Sequence, residues 1–381
     1  MRISADISER IRIIRFPLIL GVIFIHNYAY LGLAGTDAGT AIPSSALFIE
    51  NLFSNGLARI AVPLFYIMSG YLFFNDFVGF PGEYVDKFKR RASSLLVPFL
   101  LWNVGLLILY IIVQSFQPTK VFLALHTKPL INYSVYEYMR AIFGIGRDPI
   151  SYQFWFIRDL MILVLMSPVI HYLATRLRNS MLCICLIFWL LNIDTIINSE
   201  ALLFFYIGSY LSINRSDIKY FDRQYVTVTL AFILLTVVDA IGKTSGYADK
   251  NIIIHKTMEI AGVVSVWTLT KVLLKTKTSR LLAYLSNYAF FVFACHEPLL
   301  RVLRKLVFRY MYPHTNGSFI LLYFTVSLID AALSLGVGLL LHNFFPGVYG
   351  IATGNRSKAP DEPRSGVGVQ GAKAPALSGQ S

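Results

Sequence analysis

An all-α, polytopic membrane protein is the fold class this sequence predicts, and three observations predict it. Of 381 residues, 56% are hydrophobic and only 14% charged, against about 25% charged in an average soluble domain. Mean hydropathy is +0.60, and 29 Phe and 22 Tyr add aromatic bulk. A soluble globule of this size could not hide that much apolar surface, because much of its exterior must face water. The apolar residues also fall into runs near the ~20 residues that a spanning helix needs.

The polar N-terminus, MRISADISERIRIIR, leads into a long apolar run without a small-x-small cleavage site, so a retained helix is expected there and not a signal peptide. That first span is centred on 14–33, with Pro17 in its opening turn, where proline is tolerated. The second, 46–74, is long enough for its first part to be an amphipathic approach to the membrane. Spans at 95–116 and 154–175 flank the longest outer connection, 117–152. A pair at 181–198 and 200–213 follows, the latter short enough to tilt or to share a hairpin with its neighbour. Spans at 225–241, 251–274, 281–303 and 318–342 bring the expected number to about ten, and Pro298 should loosen the ninth. Residues 1–345 form the expected membrane domain, and 346–381, rich in Gly, Ala, Pro and Ser towards its end, an expected cytoplasmic tail, mostly disordered.

The net charge of +13 is distributed as topology rather than as a nucleic-acid patch. KFKRR (87–91), RLR (176–178), RSDIKYFDR (215–223) and KTKTSR (275–280) occupy every second connection. If those connections are cytoplasmic under the positive-inside rule, both termini are cytoplasmic too. The 35–45 connection, GTDAGTAIPSS, has no Lys or Arg. Arg301, Arg304, Lys305 and Arg309 break the pattern, since they would face outwards. Cys183, Cys185 and Cys295 lie within apolar runs and read as small buried hydrophobes; no metal site and no nucleic-acid partner is expected.

The stretch RFPLILGVIFIH, Arg15 to His26, carries the strongest chemical signal. Eleven helical steps of 100° make about 1100°, three turns and some 20°, so both side chains share a face. They are separated by a rise of about 16 Å. A titratable ring at that depth marks a functional site by default, although a neutral His26 bonded between helices and an Arg15 reaching for the interface would satisfy the same pattern. The spacing of the pair suits a ligand with phosphates at the membrane surface and a reactive group at mid-depth, such as a coenzyme A thioester.

Seven segments in order then resemble the acyltransferase-3 family of integral membrane acyltransferases. They are Arg15-x10-His26, VPLFYIMSGYLF (62–73), YVDKFKRRASSLLVPFLLW (84–102), FWFIRDL (154–160), LLFFYIGSYL (202–211), SNYAFFVFACHEPL (286–299) and FFPGVYGIATGNR (344–356). The resemblance covers about residues 8–356. It implies a domain of roughly ten helices, acyl-CoA (commonly acetyl-CoA) as donor, and a hydroxyl of a surface polysaccharide or lipid-linked sugar as acceptor. Some members carry a periplasmic hydrolase-like domain, which this sequence does not show.

Each candidate residue has a functional reading and a plainer one. His26 is the expected general base, since neutral imidazole suits proton abstraction from a hydroxyl. Arg15 is expected at the donor's phosphates, with Arg90 and Arg91 either sharing that work or serving topology. Arg158 joins catalysis by stabilising oxyanion charge, holds the acceptor glycan, or pairs with Asp159. His296 and Glu297 either act at the reaction centre and acceptor or hold helices together. Trp155 reads as a sugar platform or an interfacial anchor, and Ser69 as an oxyanion contact or, with Gly70, a packing step. Glu259 is expected to pair with Lys256.

The function expected is transfer of an acyl, chiefly acetyl, group from acyl-CoA to an envelope glycan of exopolysaccharide or O-antigen type, at a bacterial inner membrane. Two other readings stay open: a transporter or flippase of lipid-linked glycan, and an acyltransferase acting on lipid or protein.

Overall fold

The structure is a computed structural model, and it describes residues 4–28, 43–77, 79–116, 129–247, 251–311 and 313–355. Among these, all regular structure is helical and no strand occurs. In chain order the helices are α1 (Ala5–His26), α2 (Ser44–Glu50), α3 (Ala61–Phe74), α4 (Pro81–Arg91), α5 (Val97–Ser115), α6 (Val135–Phe143), α7 (Trp155–Leu165) and α8 (Ser167–Arg176). They continue as α9 (Arg178–Leu190), α10 (Ser199–Ile213), α11 (Tyr225–Thr244), α12 (Ile252–Leu273), α13 (Thr278–Leu285), α14 (Ala289–Tyr310), α15 (Asn316–Phe344) and α16 (Pro346–Thr353). Two π-helical stretches, Asn51–Leu57 and Ala92–Leu96, join α2 towards α3 and α4 to α5.

The chain is a polytopic membrane protein, and each apolar stretch expected to span contains a helix. Five helical runs are long and apolar enough to cross alone: Ser44–Phe74, Pro81–Ser115, Tyr225–Thr244, Ile252–Leu273 and Asn316–Phe344. Tyr152–Leu165 with Ser167–Arg176 makes a sixth if the two are one span, bent by 63° where Pro168 withholds a backbone donor. Length and composition thus reach fewer spans than the ten expected. The helices α9 and α10 are short, while α1 and α14 carry arginines along an otherwise apolar length.

The course of α1 differs from the sequence expectation at both ends. Ser4 caps it by accepting from the Ile7 N–H at 3.4 Å, so the helix starts at Ala5 and Pro17 lies in its interior. Ser286 Oγ accepts from the Phe16 N–H at 3.3 Å beside this proline. The helix stops at His26, whereas the expected span ran to 33; residues 29–42, and with them part of the 35–45 connection, lie outside the described residues. Its last carbonyls do not go begging. Ser54 Oγ donates to Phe24 O at 2.6 Å, and Asn27 Nδ2 donates to Tyr323 O and Ser327 Oγ at 3.0 and 2.9 Å. A helix can end inside protein only where its terminal groups find such partners.

The basic connection at 215–223 meets the start of α1. Asp6 meets Lys219 at 2.6 Å, and Arg10 binds Asp222 through two nitrogens at 3.0 and 2.7 Å. The hydrogen bond from Lys219 holds the Asp6 carboxyl below the usual carboxylate range. Tyr206 and Tyr210 tie α10 to Arg178 O and Asn179 Oδ1, at 3.0 and 2.7 Å. The helix α13 packs against α1.

The region expected to be a tail begins with structure. The helix α16 packs back on the bundle, with Trp102 Nε1 donating to Ala352 O at 3.1 Å and Tyr349 Oη to Asn287 O at 3.2 Å. Packing therefore continues past 345 to Asn355, and the segment from 356 onward lies outside the described residues.

The helices α3 and α10 approach each other closely. A Cβ on Gly208 would strike the Ile67 carbonyl, and one on Gly70 would strike that of Phe205, so two glycines let these backbones touch. Gly208→Ala should lower thermal stability in detergent by about 1–3 kcal/mol, the usual effect of overpacking. Gly105→Ala, where a Cβ meets nothing within 4 Å, should leave it unchanged or raise it. Equal melting shifts for the two variants would refute the close crossing.

Candidate active site

A cavity of about 400 Å³ runs beside α1. Arg15, Ile19, Val22 and His26 line it at steps of four, three and four, a single helical stripe. Val62, Phe65, Ser69 and Leu72 of α3 line it with the same periodicity, and Trp155 and Phe156 of α7 with Phe290 and Phe293 of α14 close it. The walls are mainly apolar, with Ser69 among them, and the ionisable groups stand at the two ends.

At one end Arg15 is exposed and Arg91 half-buried, with Ser94, Ser286 and Asn287 beside them. Neither guanidinium forms an ion pair with a carboxylate among the described residues. Two cations left facing one mouth make an anion-attracting entrance.

At the other end His26 packs edge-on against His296 and Tyr152, with ring centroids 5.2 and 5.4 Å away. His296 is fully buried, and its Nδ1 lies 2.7 Å from Phe293 O. A carbonyl only accepts, so Nδ1 carries the proton and Nε2, which has no hydrogen-bond partner, holds the lone pair. Pro298 shapes this turn. Lacking an N–H, it cannot bond Ala294 O four residues back, and Gln153 Nε2 donates to that carbonyl instead, at 2.8 Å. Gln153 is 1% exposed, lines the cavity, and its Oε1 has no partner.

Beyond His26 the polar groups pair with one another. Glu297 meets Arg301 at 2.7 Å, and Arg304 Nε donates to Asn27 Oδ1 at 3.1 Å. Two of the four basic residues that broke the charge pattern thus serve internal contacts.

The structure brings His26, Arg15, Arg91, Trp155 and Ser69 to one cavity, with His296 directly behind His26. It does not bring Arg158, Arg90 or Glu297 there. Arg158 is held by Asp159 at 3.0 Å and donates to Gly144 O and Arg147 O at 2.8 and 3.3 Å, facing an 820 Å³ groove that adjoins the cavity at Arg91 and Leu95. Arg90 reaches only Asp86 O of its own helix, at 3.3 Å. Glu259 does not pair with Lys256. It meets Arg59 at 3.0 Å, while Lys256 donates to Trp189 O and Asn192 Oδ1 at 2.5 and 2.8 Å. Arg59 bridges to Glu200 at 2.8 Å, and Asp239 holds both His255 and Lys243 at 2.9 Å.

Sequence reasoning missed Gln153, Tyr152, Asn27 and the Arg59–Glu200 pair. Only the Gln153 arrangement left a trace: Pro298 announces an orphaned carbonyl at Ala294 and so a donor from elsewhere.

A family model described as an acyltransferase domain matches residues 9–339. The chain is also similar to the succinoglycan biosynthesis protein ExoH of Rhizobium meliloti (strain 1021), 27% identical over 378 residues, covering 93% of this chain and 94% of that one. No solved structure matches it.

Arg158→Met should destabilise the protein by about 3 kcal/mol, because it strands the buried Asp159 carboxylate. Arg158→Met combined with Asp159→Leu should recover most of that in thermal unfolding. A double variant no more stable than the single one would show that Arg158 does more than neutralise its neighbour.

Proposed function

Because the chain belongs to the acyltransferase-3 family, we propose that it moves an acyl group, acetyl in the first instance, from acyl-CoA to a hydroxyl of an exported polysaccharide or its lipid-linked precursor. The single observation that carries this reading is the cavity with two guanidinium groups at its mouth and His26 at its end. The donor's phosphates would bind Arg15 and Arg91 at the cytoplasmic face, and its pantetheine arm would run between apolar walls. The relative named for succinoglycan biosynthesis supports a polysaccharide acceptor.

In this mechanism His26 takes the proton of the acceptor hydroxyl as its oxygen attacks the thioester carbonyl. The carbon–sulfur bond breaks, and the imidazolium returns the proton to the departing thiolate, so the reaction needs no external base. Ser69 stands in the cavity wall as a donor to the developing oxyanion. His296 behind the ring orients it. Exclusion of water between the apolar walls strengthens each polar contact to the reacting atoms.

His26→Ala and His26→Gln, expressed at normal levels in the native host, should abolish the O-acyl proton NMR signal of the envelope polysaccharide, reflecting a ~10²–10⁴-fold loss. An undiminished signal would remove His26 from the mechanism. With purified protein, Arg15→Ala or Arg91→Ala should raise KM for acyl-CoA about tenfold, as expected for a lost phosphate contact. Neither should alter turnover of acyl-pantetheine, which lacks the nucleotide. Equal losses on both donors would contradict the assigned entrance.

A further inference from the structure

Gln153 lines the cavity with one end of its amide bonded and the other, among the described residues, without a partner. Its orientation is not free. Turned the other way, its carbonyl oxygen would face the Ala294 carbonyl, two acceptors with no proton between them, so Nε2 must be the atom on α14. Oε1 is therefore an acceptor without a donor, in a side chain 1% exposed that forms part of the cavity wall. Leaving such an atom unbonded is destabilising, because its lost hydration is not replaced. His296 is two residues beyond Ala294, and Tyr152, adjacent to Gln153 in the chain, touches the His26 ring. The acceptor thus stands level with the reaction centre, not with the phosphate entrance.

We infer that Gln153 Oε1 accepts a hydrogen bond from the amide N–H of the donor's arm that lies nearest the thioester sulfur. This rests on the acyl-CoA reading above and deepens it. Pro298 and Gln153 act as one device: the proline exposes a carbonyl, that carbonyl fixes the glutamine, and the glutamine fixes the arm so that the thioester carbonyl stops at His26. Gln153 is a positioning residue, since it meets the arm and not the reacting atoms.

The experiment uses purified full-length protein, thiol release as readout, and deacylated polysaccharide of the native host as acceptor. Three donors are compared: acetyl-CoA, S-acetyl-N-acetylcysteamine, and S-acetyl-2-mercaptoethyl acetate, in which an ester oxygen replaces the amide N–H. Wild-type protein should favour the amide over the ester about tenfold in kcat/KM, in line with a buried acceptor left unsatisfied. Gln153→Leu and the near-isosteric Gln153→Met should lose about tenfold on the two amide donors and bring the amide-to-ester ratio close to one. No amide preference in the wild-type protein would overturn the inference without any variant. Equal slowing of amide and ester donors in the variants would also overturn it, and would place Gln153 on the His26 ring or on the acceptor sugar. If wild-type protein releases thiol from none of the donors, it is the acyl-CoA reading itself that fails.

Discussion

Inside a bilayer every backbone N–H and carbonyl must find its partner within the protein, and this constraint shapes the whole site. Two helices break the rule of continuous bonding near mid-bundle. The first, α1, ends at His26, and its final carbonyls and cap are held by Ser54, Tyr323, Ser327 and Arg304. The other, α14, carries Pro298, and its freed carbonyl is held by Gln153. Each repair places polar side chains where apolar ones would otherwise pack. The His26 end of the cavity lies between these two repairs.

The same constraint explains the distribution of charge. Several buried cations and carboxylates form pairs, as in Arg59 with Glu200 and Glu259, Glu297 with Arg301, and Arg158 with Asp159. Arg15 and Arg91 differ, for they stand together at a cavity mouth without a carboxylate between them. A pair of like charges there is sensible only opposite an anion. From that mouth to His26 the lining is a stripe of α1 faced by a stripe of α3.

Much of this was legible in the sequence. The apolar runs gave the all-helical class, and the Arg15–His26 spacing put both residues on one face because helical phase depends on residue count alone. The boundaries of α1 were less legible. A serine cap at position 4 lies in a polar segment, and the stop at Asn27 depends on side chains some 30 to 300 positions away. Arg158 illustrates the limit most clearly. Its neighbours in sequence make it a plausible catalytic cation, but its direction is decided by the carbonyls of Gly144 and Arg147 in a loop that no local pattern links to it. Charge partners such as Arg59 and Glu200 belong to different helices, and a single sequence does not pair them.

Electron cryomicroscopy of the protein with an unreactive thioether analogue of acyl-CoA would reveal whether the donor lies along α1, with its head at Arg15 and its sulfur at His26. Phosphate density is expected against Arg15 and Arg91, and the analogue's carbonyl beside the His26 ring. Density for the analogue in the groove beside Arg158, with the α1 cavity unchanged, would contradict this placement.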